Sequence, residues 1–223
     1  MKTLYTILSL FFTTLIVAQN PIVKDMGDFN TVKVYDRIVV NLVKSDENKV
    51  IISGADASQV NVLNKDGVLK IKMELDLIFD GNKTFVHVHY TDLKLIDGNE
   101  GAVITSNELI EQDKIEIKVQ EGARAKVGLL VKEATLRAVT GGIIMASGQA
   151  ERQDVTVNTG GVYEGRDLET DHGEVFVQAG GNVEIYTAKS IDITIRAGGD
   201  VYVYGNPPEV KRRRTFGGRI KIM

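Results

Sequence analysis

The stretch VTVNTGGVYEG, Val155–Gly165, recurs in pattern along the C-terminal half of the chain. It returns as LRAVTGGIIMA at Leu136–Ala146, VFVQAGGNVEI at Val175–Ile185 and ITIRAGGDVYV at Ile193–Val203. The glycine pairs at the centre are Gly141-Gly142, Gly160-Gly161, Gly180-Gly181, Gly198-Gly199 and Gly217-Gly218, at intervals of 19, 20, 18 and 19 residues. A period held near 20 residues is the mark of a stacked repeat architecture.

Apolar columns run on both sides of the glycines. Before them lie Ile117, Leu136, Val155, Val175 and Ile193, then Val119, Ala138, Val157, Val177 and Ile195, with Gly122-Ala123 as a degenerate earlier pair. After them lie Ala125, Ile144, Tyr163, Val183, Val201 and Ile220, then Val127, Ala146, Gly165, Ile185, Val203 and Ile222. Alternation with period two is the strand signal. Each unit therefore reads as strand, Gly-Gly corner, strand and polar turn. Glycine suits a corner because it accepts positive φ and close backbone approach. The predicted fold is all-β: a parallel β-solenoid of ~19-residue coils, each burying the next.

The last coil departs from the columns. Pro207-Pro208 is followed by Lys211-Arg212-Arg213-Arg214, and Arg212 and Arg214 fall where other coils are apolar. Charge on an open strand edge opposes edge-to-edge association, so the run reads as an edge cap. A patch for acidic glycans or lipid is the competing reading.

Residues 20–112 are less regular and also read as strands, at Thr31–Tyr35, Arg37–Val43, Lys49–Ser53, Val68–Met73 and Phe85–Tyr90, with a short helical turn within Ala55–Leu63. This half is expected to form irregular first coils or a cap, and residues 113–223 the regular repeats, together one solenoid domain over 20–223. Residues 1–19 read as a cleaved export signal: Lys2, the uncharged run Leu4–Val17, then Ala18-Gln19. The expected setting is extracytoplasmic, in the periplasm or at the cell surface. No further apolar run of membrane length appears in the mature chain. With no cysteine, neither disulfides nor a lipidated cysteine contribute. The net charge of −3 offers no electrostatic footprint for nucleic acid.

The chain also resembles a known family. The residues that carry the resemblance are Phe29–Leu42 (FNTVKVYDRIVVNL), Gly67–Ile71 (GVLKI), and the close from Tyr204–Val210 (YGNPPEV) to Phe216–Gly218. Over roughly residues 25–223 it is similar to the head GIN domain family, common in Bacteroidetes and labelled putative autotransporter adhesins. The resemblance implies a right-handed, β-helix-like fold, an extracytoplasmic setting, and no catalytic residues to carry over. Two departures stand out: Ala- or Thr-Gly-Gly where the family has Ser-Gly-Ala-Ser-Asp corners, and Asp36-Arg37 where a glycine is usual.

Candidate sites follow from the register. Tyr186 and Tyr204 share a phase in adjacent coils, with Tyr202 on the same outward face and Glu184 and Asp200 beside them. Tyrosines on a flat sheet face form a platform for sugar rings, or a purely structural ladder. Glu164 and Glu184 also share a phase, at a spacing that would suit a retaining glycosidase. His87 and His89 point to one side of a strand, but a zinc site needs more ligands than they supply. The Asp-Gly-Asn turns at 80–82 and 97–99 lack the ligand spacing of a calcium loop. No cofactor is expected. The reading is an exported, non-catalytic, adhesin-like module for a glycan or protein ligand. The alternatives are a structural or envelope-sensing protein with a protein partner, and a β-helix carbohydrate-active enzyme.

Overall fold

The computed structural model describes residues 20–223; the expected export signal at 1–19 lies outside them. The chain begins with β1 (Ile22–Asp25), β2 (Thr31–Val34), β3 (Val39–Lys44), β4 (Lys49–Gly54), β5 (Val60–Lys65), β6 (Val68–Met73), β7 (Thr84–Tyr90) and β8 (Leu95–Gly98). The repeats supply β9 (Val103–Val119), β10 (Arg124–Val139), β11 (Ile143–Asn158) and β12 (Val162–Gln178). Then come β13 (Asn182–Tyr186), β14 (Ser190–Ala197), β15 (Asp200–Tyr204), β16 (Glu209–Phe216) and β17 (Arg219–Ile222). All join one 17-stranded sheet. It winds as a β-solenoid of about 7 turns of roughly 19 residues.

One face of the solenoid runs β1-β4-β7-β3-β9-β10-β11-β12-β13-β15-β17. The other runs β5-β6-β2-β8-β9-β10-β11-β12-β14-β16. From β7 and β6 onward every rung is parallel, and the four apolar columns stack like on like. The first coils are threaded out of chain order: the β2–β3 coil sits between the β6–β7 coil and the β8–β9 coil. Antiparallel β4 and β5 cover the outer edges of β7 and β6. Alternation along a strand names its faces but not its neighbour, so this threading was hidden in the sequence.

A single coil shows how the core fills. Ala125, Val127, Leu129, Val131, Ala134, Leu136 and Ala138 are all buried. The alternation slips once, at exposed Lys132-Glu133, where the chain rounds the second bend. The polar turn expected there is therefore a bend within continuous strands in β9 to β12; distinct turns separate the strands only from β13 onward. The short helical turn appears as a 3-10 turn at Ala57–Gln59.

The corners divide the work between the two glycines. Thr140 and Gly141 both adopt left-handed backbone, at φ 48° and 72°. The Gly142 N–H donates to Val139 O at 2.9 Å. Two consecutive left-handed residues closed by that bond make a type I′ turn, which here carries the chain round a solenoid corner and joins no hairpin. Gly142 answers a different need, since a Cβ there would lie 2.5 Å from the Val119 carbonyl oxygen of the preceding coil. The first corner uses Asp36 and Arg37, at φ 58° and 60°, without glycine. Buried Asp36 holds that geometry: its carboxylate accepts from Met73 N–H at 3.0 Å and Phe79 N–H at 3.2 Å.

Candidate functional site

The tyrosine strip occupies the face that ends in β13, β15 and β17. Val183, Ile185, Val201 and Val203 point inward, so Glu184, Tyr186, Asp200, Tyr202 and Tyr204 all point out. Register places Tyr186 beside Tyr204, Glu184 beside Tyr202, and Tyr202 beside Lys221. The structure thus brings the five residues together on two adjacent rungs. All are half-exposed.

Two of the five are already engaged. Asp200 accepts a bidentate pair from Arg219, at 2.8 Å to Nε and 2.6 Å to Nη2. The hydrogen-bonded guanidinium holds the Asp200 carboxyl below the usual range. The ring of Tyr204 lies under the Arg166 guanidinium, 4.8 Å from its centroid, a cation–π geometry. Glu184 forms no ion pair among the described residues.

Arg166 arrives by a bulge. Between β11 and β12 the register passes from Met145↔Glu164 to Ser147↔Asp167, so β12 holds one extra residue there. This is the 20-residue interval between Gly160 and Gly180. A bulge re-aims the side chains around it. A larger irregularity in β9 passes from Lys126↔Thr105 to Gly128↔Leu109. These two bulges border a shallow groove of about 610 Å3, floored by Lys126, Met145 and Ser147 and flanked by Glu164 and Glu184. The sequence reading missed Arg166 and the Ser106–Leu109 segment. The signal was present: coils of 20 and 21 residues where the others run 18 or 19.

Glu164 and Glu184 do stand opposite one another on adjacent rungs, bordering this groove. His87 and His89 share an outward face of β7, beside Asn41 and Val43, six rungs from the tyrosines. Burial and the nearby Lys49 lower the His89 pKa, so the ring favours its neutral form. No group of three His, Cys, Asp or Glu side chains suited to a metal occurs among the described residues. Asp97 and Gly98 lie in β8 rather than in a turn, and Asp97 pairs with Lys33 at 2.9 Å. Among the described residues no helix is long and apolar enough to cross a membrane.

The family described as "Putative auto-transporter adhesin, head GIN domain" matches residues 28–207. No curated protein sequence matches the chain. Several solved structures share its fold. A protein described as a putative adhesin from Bacteroides fragilis NCTC 9343 has 18% identity and a TM-score of 0.82, over 92% of this chain and 98% of that one. A putative adhesin from Parabacteroides merdae ATCC 43184 has 18% identity and a TM-score of 0.69, over 92% and 97%. A protein from Parabacteroides distasonis ATCC 8503 described as a putative lipid binding protein has 16% identity and a TM-score of 0.64, over 92% and 97%. At these identities the likeness is one of fold.

Proposed function

The chain belongs to the head GIN domain family, and on that premise we propose that it is an exported, non-catalytic binding module whose tyrosine strip takes an extended glycan. The observation that carries this reading is the register of Tyr186 on Tyr204, with Tyr202 alongside, on a continuous parallel ladder. Tyrosine side chains at rung spacing, roughly 4.8 Å apart, offer aromatic surface and hydroxyls to successive sugars, and the Arg166 guanidinium over the Tyr204 ring adds a donor beside them. Glu184 is free to accept from sugar hydroxyls, and the bulge groove extends the contact along the solenoid axis. Binding of this kind sums many weak contacts on a rigid scaffold, which spends little on ordering. The apolar run at the N-terminus and the adhesin description of the family support an extracytoplasmic setting.

The test is binding of the purified protein to a broad array of glycans and matrix proteins, beside a Tyr186→Ala/Tyr204→Ala variant with an unchanged circular dichroism spectrum. A glycan bound by the native protein and lost by the variant supports the reading. No glycan bound, or one bound equally by both, overturns it. Turnover of a polysaccharide abolished by Glu184→Gln would replace it with glycoside hydrolysis by the Glu164–Glu184 pair.

A further inference from the structure

The coil built by β16 and β17 is unlike the others. Its inward columns place Arg212 beside Ile193 and Arg214 beside Ile195, and both arginines are exposed. A further coil of the solenoid stacked here would bury two guanidiniums, with no carboxylate in the columns to offset their desolvation. The residues themselves therefore mark the end of the stack. Arg213 and Arg219 are turned back and paired with Asp192 and Asp200. Lys211, Arg212, Arg214 and Lys221 have no carboxylate partner among the described residues. Phe216, 75% exposed, stands at the corner between the two strands.

We propose that this terminal coil is a docking edge for an acidic, extended segment of another polypeptide, which adds to β16 as the next rung. Among the described residues β16 pairs only with β14, and β17 only with β15. Each outer edge thus offers a row of both N–H donors and C=O acceptors. A peptide strand answers both; a phosphate headgroup only accepts, so the edge favours a strand over a lipid surface. Arg212 and Arg214 stand two residues apart on one side of β16. The incoming strand meets them with carboxylates at alternate positions, and their charge-assisted bonds set its register.

The same charges act against self-association. A second copy presenting this end would bring like charges together, and its opposite end is covered by VNVLNK in β5 and IVKD in β1, which lack alternating carboxylates. The basic end thus excludes its own kind while admitting an acidic strand.

The experiment uses the purified protein with a fluorescent eight-residue peptide of alternating Glu and Thr. Its Lys-Thr counterpart and a Glu-Thr peptide with alternate amides N-methylated are the controls. Anisotropy reports binding, and amide hydrogen exchange reports protection of β16 and β17. The Glu-Thr peptide is expected to bind and protect β16 while leaving β17 unchanged, N-methylation to weaken it by about tenfold or more, and Arg212→Glu/Arg214→Glu to shift preference to the Lys-Thr peptide. Should that variant misfold, Arg212→Gln/Arg214→Gln must lose the Glu-Thr peptide. Equal binding of the N-methylated peptide overturns the proposal, as does an unaltered preference in the variants. So does binding of phosphatidylglycerol vesicles without any peptide-induced protection. Concentration-dependent self-association lost in the charge-reversed variant would assign the edge to a second copy instead.

Discussion

The Tyr163 hydroxyl donates to Gln153 Oε1 at 2.6 Å inside the solenoid, where both side chains are fully buried. Gln153 Nε2 donates in turn to Thr170 Oγ1 at 2.8 Å and Tyr186 O at 2.9 Å. The tyrosine fits because the next inward position is Gly165: a Cβ there would lie 2.1 Å from the Tyr163 Cζ and hydroxyl. Gly165→Ala should therefore destabilise by ~1–3 kcal/mol through overpacking. Tyr163→Phe should cost about as much by orphaning the Gln153 oxygen. Urea unfolding of the Tyr163→Val/Gly165→Ala double variant should show strong non-additivity, since removing the ring relieves the clash; additive costs would refute the packing account.

Burial pushes the Tyr163 hydroxyl well above the ordinary tyrosine range, and Tyr90 up to about 12. Unfolded tyrosines ionise near ~10, so above that pH the unfolded chain releases protons that the folded chain retains. The stability these groups carry is complete below pH ~10 and falls as pH rises toward 12. Melting temperatures measured from pH 8 to 11.5 should decline above 10, and Tyr163→Phe should flatten the decline. An equally steep decline in the variant would exclude Tyr163 as a source.

The paired glycines should respond differently. At Gly141 an added Cβ meets nothing within 4 Å, and the cost is that of left-handed backbone, φ 72°. Gly141→Ala should cost ~1–2 kcal/mol and Gly141→Asn less. Gly142→Ala must push against the backbone of the previous coil, and its cost should exceed that of Gly141→Ala. Denaturation midpoints in the reverse order would disprove this division.

At the first corner Asp36 does what glycine cannot. Asp36→Gly keeps the φ but abandons Met73 N–H and Phe79 N–H, so it should destabilise by ~1–3 kcal/mol. Nearby Glu100 has its carboxyl pKa raised, first by burial and then by the Asp36 charge. A raised carboxyl contributes stability below its unfolded pKa, near ~4.3, and loses it as pH rises through the folded value. Glu100→Gln should raise the melting temperature at pH 7 and leave it unchanged at pH 3. A variant less stable at pH 7 would show that the Glu100 charge is favourable.

Arg166 links a coil-length anomaly to an aromatic two rungs away. Arg166→Ala should lower stability by ~0.5–1 kcal/mol, the scale of an exposed cation–π contact. In a double-mutant cycle with Tyr204→Ala that difference should vanish. A cost for Arg166→Ala that persists without the tyrosine would place its contribution elsewhere.

Much of this was legible along the chain because it is local. Alternation assigned inward and outward faces correctly from Ile117 to Val203, since a strand's side chains must point to opposite sides. The glycine period announced stacked coils, and the phase of Tyr186, Tyr204, Glu164 and Glu184 followed from counting within a constant repeat. Where the repeat length changed, counting marked an anomaly and said nothing of its use. That Arg166 reaches Tyr204, that Gln153 in an apolar column meets Tyr163, and that β2–β3 is threaded between β6–β7 and β8–β9 depend on which distant segments become neighbours. Parallel pairing joins residues through backbone groups that every residue carries alike. The choice of neighbour is then made by the packing of the whole solenoid rather than by any one stretch of sequence.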